Sequence, residues 1–225
     1  MAAAGSGVRL GAGGPKALVE LAGRILAAWS LDAFAAARSV GAAVVAAPPD
    51  RVGEVEDALL GASKGDALPL RVVAGGASRS ESVAAALAAV DTELTVVHDA
   101  ARPLVAAELI DAVVSELAAT PGCECVLAAT PITDTVKEVA EHEVERTLDR
   151  SRLWAAQTPQ AFRTETLRRA LAAADSLSAA TDDAMLVERL GGRVLVHEAP
   201  PENLKVTTKR DLRIAELMLA DRAGG

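Results

Sequence analysis

The chain has 225 residues, and its formal net charge of −8 argues against a nucleic-acid-binding protein, because such proteins usually carry a basic face. The length suits one domain with a substantial core. No apolar run reaches the length of a membrane helix and no signal segment opens the chain, so we expect a cytoplasmic protein with no membrane partner. Cys123 and Cys125 are too close for an ordinary disulfide, and we expect reduced, packed thiols.

Short apolar runs bounded by turn residues alternate with helical segments along the chain. The runs are typical of buried strands and lie at 42–48, 70–76, 94–99, 125–130 and 193–198. Helices are predicted at roughly 17–37, 50–61, 80–90, 105–119, 164–175, 182–190 and 209–221. This alternation predicts an α/β fold in a single domain, residues 1–225, with a mostly parallel sheet covered by helices on both faces.

One segment, PITDTVKEVAEHEVERTLDRSR at 131–152, breaks the alternation. Polar and apolar residues alternate within TVKEV and again within EVERTL, which predicts a polar two-stranded hairpin that protrudes as a β-arm. A solvated hairpin is only marginally stable by itself. We therefore expect the arm to pack on a second copy of the chain and to form a homodimer.

The opening stretch MAAAGSGVRLGAGGPKA is rich in glycine and holds no acidic residue, since the first one in the chain is Glu20. Glycines let backbone N–H groups approach phosphate oxygens closely, and Arg9 and Lys16 add two cations. The Gly-Lys-Ser/Thr fingerprint fails because Ala17 follows Lys16, and the dinucleotide fingerprint fails at Leu10. A flexible terminus is the alternative, but two cations in an acid-free loop favour a polyanion such as a triphosphate.

The stretch TVVHDAARP at 95–103 places a carboxylate at the carboxyl end of a predicted strand. Asp99 at this position suits a hard cation such as Mg²⁺, which is usually held by one or two carboxylates together with substrate phosphates. The alternative is that Asp99 caps the helix that follows Pro103. Arg102 in the same loop is placed to meet a second phosphate, and His98 is interpreted as a packed or hydrogen-bonded histidine.

The stretch AGGASRSESV at 74–83 joins a predicted strand to a predicted helix. Ser78 or Ser80 is expected to cap that helix, with Glu81 completing a capping box on Ser78. The glycines would also admit a flat base, but helix capping is the favoured interpretation of this stretch alone. Three more polar residues lie at element ends and, each taken alone, are typical of solvated surface: Arg150, Thr158 and Lys205.

Together, seven segments in order across nearly the whole chain closely resemble the 2-C-methyl-D-erythritol 4-phosphate cytidylyltransferases of the non-mevalonate isoprenoid pathway. They are AAGSGVRLG…PKA, AGGASRSESV, VHDAARP, PITDTVK, DRSRLWAAQTPQAF, TDDA and NLKVTT…DL. The resemblance implies a three-layer αβα, Rossmann-like nucleotidyltransferase domain whose protruding β-arm builds a homodimer. It also implies that a phosphate oxygen of the sugar-alcohol phosphate attacks the α-phosphorus of CTP in line, without a covalent intermediate, and that pyrophosphate leaves.

The same resemblance implies roles for individual residues. Arg9 and Lys16 are the implied catalytic residues, which stabilise charge developing at the α-phosphate, and Asp99 is the implied ligand of Mg²⁺ or another divalent cation. The implied CTP-binding residues are Ala3, Ala4, Gly5, Gly7, Gly76, Ser82 and Lys205. The implied sugar-phosphate-binding residues are Arg102, Thr135, Arg150, Thr158, Thr181 and Lys205. Of these, Thr135 and Arg150 lie on the arm and are expected to reach the substrate across the dimer.

The sequence departs from the family pattern at two places. Family members normally carry an apolar strand before the glycine loop, and here almost none of it precedes that loop. We interpret this as a misplaced start, with a compromised enzyme as the alternative, because the loss of a central strand would leave ladder groups unpaired. Ala77 stands where some relatives have a polar residue near the base, so either the base contacts are weaker or the backbone supplies them.

Three alternative functions stay open at this point. A ribitol 5-phosphate cytidylyltransferase would share the fold, the loop and the chemistry, although HDAARP favours the methylerythritol enzyme. A catalytically silent nucleotide-binding relative would account for the missing strand, but the joint presence of Arg9, Lys16, Asp99 and Lys205 argues against it. An NAD(P)-dependent reductase is disfavoured by Leu10 and by the absence of a strand ahead of the loop.

Overall fold

Strands and helices alternate along the chain in the computed structural model, which describes residues 1–5, 7, 14–62, 68–174 and 181–224. The strands are β1 (Glu20–Leu21), β2 (Arg24–Ile25), β3 (Ala43–Ala47), β4 (Leu70–Ala74), β5 (Leu94–Val97), β6 (Cys123–Pro131), β7 (Lys137–Ala140), β8 (Glu143–Thr147), β9 (Trp154–Arg163) and β10 (Arg193–Glu198). The helices are α1 (Leu26–Ala36), α2 (Val52–Ala62), α3 (Arg79–Leu87), α4 (Ala107–Ala119), α5 (Thr164–Ala173), α6 (Ala184–Arg189) and α7 (Lys209–Gly224).

The main sheet is continuous because the first residues of the chain join its two parts. One part is the parallel pair β3 and β4, and the other contains β10, β6, β9 and β5 in that order. Between β3 and β5, Ala2 forms a parallel bridge with Ala46 on one side and with Asp99 on the other. The order across the sheet is therefore β4, β3, the N-terminal segment, β5, β9, β6 and β10.

The N-terminal segment lies at the central position where the sequence analysis expected a strand to be missing. The terminal amine of Met1 donates to the carbonyl of Val44 at 2.6 Å, and the N–H of Ala2 donates to the carbonyl of His98 at 2.8 Å. A mainly apolar cavity of about 320 Å³ lies beside Met1, between residues of β3 and β5. The described part of this segment thus forms hydrogen bonds with β3 on one side and with the residues that follow β5 on the other, and a cavity lies beside it.

Two local elements differ from the sequence prediction. β9 was not predicted, and it pairs antiparallel with both β5 and β6, whereas β3 pairs parallel with β4 and β6 with β10. The predicted helix 17–37 is interrupted by the β1–β2 hairpin, whose turn residues Ala22 and Gly23 have φ values of 50° and 75°. A helix cannot contain two successive left-handed residues, so α1 begins only at Leu26.

Helices cover both faces of the sheet, which confirms the three-layer α/β architecture. On one face, Val83 of α3 and Leu167 of α5 pack in a core around Phe162 of β9. On the other face, Ile110 of α4 packs in a core with Val126 of β6. The apolar area that these contacts remove from water is the main favourable contribution to folding.

The β-arm predicted at 131–152 is present as the antiparallel pair β7 and β8. Every residue of β8 is exposed, and the side chains of Val139 and Val144 are exposed to 52% and 59%. The arm therefore presents apolar side chains to solvent in the isolated chain.

The structure also bears on two expectations about the chain as a whole. Cys123 and Cys125 are both buried and free, which confirms the prediction of packed thiols. Among the helices of the described ranges, none combines the length and the apolar character needed to cross a membrane.

Candidate active site

A cavity of about 540 Å³ lies at the carboxyl ends of the central strands, which is where open α/β sheets bind their ligands. Many of the residues singled out in the sequence line it, although they come from distant parts of the chain. These are Ala3, Ala4, Gly5, Gly7, Lys16, Gly76, Ser82, Asp99 and Lys205. The fold thus brings together the predicted CTP-binding residues, the predicted metal ligand and one of the two predicted catalytic residues.

The two ends of the glycine-rich loop meet at the rim of this cavity. The N–H of Lys16 donates to the carbonyl of Gly5 at 2.9 Å. Gly7 has a φ of +67°, and a Cβ there would lie 2.8 Å from the carbonyl oxygen of Gly14, so only glycine fits without displacing the chain. Arg9, the other predicted catalytic residue, lies outside the described residues.

One wall of the cavity is formed by the stretch that runs from β4 into α3. Ser78 and Glu81 form the predicted capping box, in which the Ser78 hydroxyl accepts from the Glu81 N–H and the Glu81 carboxylate accepts from the Ser78 N–H. The Ser82 hydroxyl accepts from the Gly76 N–H at 3.1 Å. A Cβ at Gly75 would lie 2.9 Å from the Cβ of Ala4, so glycine allows the two segments to approach closely.

Asp99 lies at the floor of the cavity and is held by two cations. Its Oδ1 accepts from Nε of Arg79 at 2.8 Å, and its Oδ2 accepts from Nζ of Lys205 at 2.6 Å. Burial disfavours the charged carboxylate, but Arg79 and Lys205 outweigh burial and lower the pKa of Asp99. Asp99 does not cap a helix: α4 begins at Ala107, and its N-cap residue Ala106 makes no side-chain cap.

Arg79 and Asp183 are site residues that the sequence analysis missed. Nη1 of Arg79 donates to Oδ2 of Asp183 at 2.5 Å, so the guanidinium bridges Asp183 and Asp99. Burial raises the pKa of Asp183, while the two carboxylates raise the pKa of Arg79 although burial opposes its charge. Both residues stand inside stretches quoted for the resemblance, AGGASRSESV and TDDA, but a contact between residues 104 positions apart leaves no local signal.

A buried polar layer lies directly behind Asp99. The Thr158 hydroxyl accepts from the Asp99 N–H and bonds to Nδ1 of His98, both at 3.1 Å, and Nε2 of His98 bonds to the Arg102 carbonyl at 3.2 Å. Burial lowers the pKa of His98 to about 3, so the ring is neutral and is hydrogen-bonded as predicted. Nη1 of Arg102 donates to the carbonyl of Asn203 at 2.7 Å, and burial lowers the pKa of Arg102. Thr158 and Arg102 are thus buried beneath the cavity floor.

Three predicted substrate-binding residues are exposed at the surface. Thr135 and Arg150 lie on or next to the arm, where the Arg150 guanidinium donates to the carbonyl of Thr133. Thr181 precedes α6, and its hydroxyl contacts the sulfur of Met185 at 3.7 Å. These three residues do not appear in the lining of the cavity described above.

The donor set suits a metal ion that arrives with its substrate. Within the described ranges, no group of three or more His, Cys, Asp or Glu side chains is placed to hold a metal ion. Asp99 is a single carboxylate at the floor of an open cavity. One carboxylate together with nucleotide phosphates is a typical environment of Mg²⁺, so Asp99 fits a metal that comes in with a polyphosphate.

Comparisons with known proteins show what this chain is similar to. The family model described as IspD, 2-C-methyl-D-erythritol 4-phosphate cytidylyltransferase, matches residues 1–221. A relative of that name from Saccharopolyspora erythraea is 45% identical over 224 residues, which cover 97% of this chain and 96% of the relative. The crystal structure of 4-diphosphocytidyl-2C-methyl-D-erythritol synthase from Anaerococcus prevotii has a TM-score of 0.82 at 28% identity, covering 97% of this chain and 95% of the other. That of 2-C-methyl-D-erythritol 4-phosphate cytidylyltransferase from Thermus thermophilus has a TM-score of 0.74 at 33% identity, covering 91% and 94%.

Proposed function

Because this chain belongs to the 2-C-methyl-D-erythritol 4-phosphate cytidylyltransferase family, and so transfers the cytidylyl group of CTP to 2-C-methyl-D-erythritol 4-phosphate, we propose that the cavity above Asp99 is where the transfer takes place. The products are 4-diphosphocytidyl-2-C-methyl-D-erythritol and pyrophosphate. One observation carries the proposal: four separate stretches that resemble the family line a single cavity at the carboxyl end of the sheet.

The methylerythritol substrate is favoured over the alternatives. The matched family and its relatives carry the methylerythritol name, so the ribitol 5-phosphate alternative is not favoured. The silent relative is also not favoured, because Lys16, Asp99 and Lys205 meet at one cavity.

In the proposed complex, the base of CTP lies against the wall formed by the N-terminal segment and the start of α3. Ala3, Ala4 and Gly5 line the cavity, and so do Gly76 and Ser82. These small residues leave room for a flat ring. Backbone groups supply the base contacts here, since Ala77 has no polar side chain.

The phosphates of CTP are proposed to lie between Lys16 and Lys205. A phosphate oxygen of methylerythritol phosphate attacks the α-phosphorus, a new P–O bond forms, and the bond to the pyrophosphate oxygen breaks. Arg9 and Lys16 stabilise the negative charge that develops at the α-phosphate, and such preorganised charges usually provide a large part of the rate enhancement. The proposal requires no covalent intermediate on the protein.

Mg²⁺ or another divalent cation is proposed to bind at Asp99 together with the phosphates. Bound there, it would neutralise phosphate charge in the transfer. The ionised state of Asp99 supports this role, because the carboxylate that binds a hard cation must be deprotonated.

The sugar phosphate is proposed to bind on the side of Lys205, with Arg102 and Thr158 acting from beneath the floor and Thr181 from the surface. Arg102 is buried, and its Nε has no hydrogen-bond partner among the described residues, which supports a role toward an anion. We also propose that Thr135 and Arg150 complete the site of the second subunit in a homodimer. The exposed valines of the β-arm support this assembly, since a partner would remove them from water.

We place the enzyme in the cytoplasm. Its two cysteines are free and buried, which is typical of proteins from reducing compartments.

Pyrophosphate release from CTP tests the proposed function directly. We expect the 225-residue chain to release pyrophosphate with Mg²⁺ and methylerythritol phosphate, and not with ribitol 5-phosphate. The Asp99→Asn variant should lose most of this activity. Asp111→Asn is the control and should retain it, because the Asp111 carboxylate accepts from the N–H of Ser39 and does not line the cavity. Release with ribitol 5-phosphate alone would overturn the substrate assignment, and full activity of Asp99→Asn would overturn the placement of the site.

A further inference from the structure

Four charged side chains meet at the floor of the cavity, and one of them touches both acids. Arg79 donates from Nε to Asp99 and from Nη1 to Asp183, while Lys205 donates to the second oxygen of Asp99. The two acids and two cations balance in formal charge. Asp99 is the residue to which the proposed function assigns the metal ion, whereas Arg79 and Asp183 have no role in that proposal.

The two cations on Asp99 differ in how firmly they are held. The side chain of Lys205 is 42% exposed, and an ammonium on a flexible stem is a point charge that fixes no orientation. The side chain of Arg79 is 26% exposed, and its planar guanidinium is held at a second point by Asp183. Arg79 is therefore the contact that can fix the plane of the Asp99 carboxylate.

The side chain of Asp183 forms no hydrogen bond with the described residues other than the one with Arg79. Its side chain is fully buried, Oδ2 accepts from Arg79, and Oδ1 has no hydrogen-bond partner among the described residues. A buried ion pair is often no more stabilising than apolar residues of the same size, so stability alone does not explain an acid here. Asp183 is the N-cap residue of α6, but its side chain makes no cap hydrogen bond, and the neighbouring Asp182 accepts from the Met185 N–H in the first turn at 2.9 Å instead.

We infer that Arg79, anchored by Asp183, is a positioning residue that orients Asp99 toward the divalent cation bound with CTP. Each carboxylate oxygen has two lone pairs, and the contacts with Arg79 and Lys205 leave one on each oxygen for a further ligand. The bridge to Asp183 sets the direction in which the remaining lone pairs point. This inference rests on the proposed function, since it presupposes that CTP and a metal ion bind at Asp99.

Binding of Mn²⁺ to the enzyme–CTP complex, measured by electron paramagnetic resonance without the second substrate, tests the inference apart from catalysis. Losing a group that orients a metal ligand typically costs 10- to 100-fold in metal affinity. We expect that loss in Asp183→Asn and in Arg79→Gln, while CTP affinity measured in EDTA stays within about twofold. Asp182→Asn is the matched control, because it makes the same change one residue away, and it should bind Mn²⁺ like the unmodified chain.

Arg79→Lys separates bridging from charge alone. A lysine ammonium keeps the charge but cannot reproduce the two-point fork, so we expect Mn²⁺ affinity to stay reduced in this variant. Wild-type Mn²⁺ affinity in either Asp183→Asn or Arg79→Lys would overturn the inference, even if the unmodified enzyme is active. If the unmodified chain neither binds CTP nor releases pyrophosphate, the proposed function itself fails and this inference with it.

Discussion

In the 225-residue chain with a free terminal amine, burial of the Met1 amine makes stability depend on pH. Burial, followed by the nearby charge of Arg79, lowers the pKa of this amine from 8.0 to about 6. The folded state therefore resists binding a proton that the unfolded chain takes up at a pH near 8. Stability should be highest above pH 8, should fall as the pH drops from 8 to 6, and should lose nothing more from this amine below pH 6.

The size of the effect follows from the two pKa values. A pKa that falls from 8.0 to about 6 corresponds to about 3 kcal/mol of stability, most of which lies between pH 8.5 and pH 5.5. Acetylation removes the titrating proton but keeps an N–H that can donate to Val44, and the cavity of about 320 Å³ beside Met1 offers space for the acetyl group.

Urea denaturation of the free and N-acetylated chains across this pH range measures the effect. Retention of Met1 is verified by mass spectrometry. Every other group titrates in both forms, so the difference between the two stability curves isolates the amine. We expect this difference to change by about 2 to 3 kcal/mol from pH 8.5 to pH 5.5, with the free amine losing stability. Two curves that stay parallel within about 0.5 kcal/mol would refute the reasoning.

The remaining predictions concern the proposed catalytic charges, the arm and one helix start. Lys16→Ala and Arg9→Ala should each lower kcat for pyrophosphate release by about 10²- to 10³-fold, and near-normal turnover in both would contradict their catalytic roles. Arg150→Ala should raise the KM for methylerythritol phosphate and leave CTP affinity unchanged in equilibrium binding; a raised Kd for CTP would contradict a role on the arm. Asp211→Asn should cost about 1 kcal/mol in urea denaturation at pH 7, because its carboxylate accepts from the N–H groups of Thr207 and Thr208, and an unchanged midpoint would contradict this.

Elements with a strong local pattern could be predicted from the sequence. The runs at 70–76 and 193–198 are short, apolar and bounded by turn residues, and strands occur at Leu70–Ala74 and Arg193–Glu198. The capping box was predictable for the same reason, since its partners are three residues apart. The β-arm was visible as an alternating pattern without a buried face.

Elements whose polar residues form hydrogen bonds with residues far away in the sequence could not be predicted. β9 has no simple alternation, because Thr158 and Gln160 are buried polar residues in it, and Thr158 finds its partners about 60 positions away at His98 and Asp99. The β1–β2 hairpin did carry a signal, the Ala22–Gly23 pair, but the surrounding leucines fitted a helix equally well.

The residues of the candidate site fall into the same two groups, those that could be predicted from the sequence and those that could not. Residues in loops that resemble a family, such as Lys16 and Asp99, could be placed from the sequence because the strand ends meet at one edge of the sheet. The ion pairs at the cavity floor could not be predicted from the sequence, because only the tertiary fold brings Arg79, Asp183 and Lys205 together.

The N-terminal segment connects the stability of the sheet with the geometry of the site. Ala2 donates to the carbonyl of His98 and accepts from the N–H of Ala100 at 3.1 Å, so it holds the backbone on both sides of Asp99. On its other side Ala2 pairs with Ala46, which joins the two parts of the sheet. Ala2 therefore joins the two parts of the sheet and also holds the backbone of Asp99, the proposed metal ligand, in place. Substitutions that disturb this short segment should accordingly affect folding and the floor of the cavity together, whereas substitutions in the arm should leave the floor of the cavity unchanged.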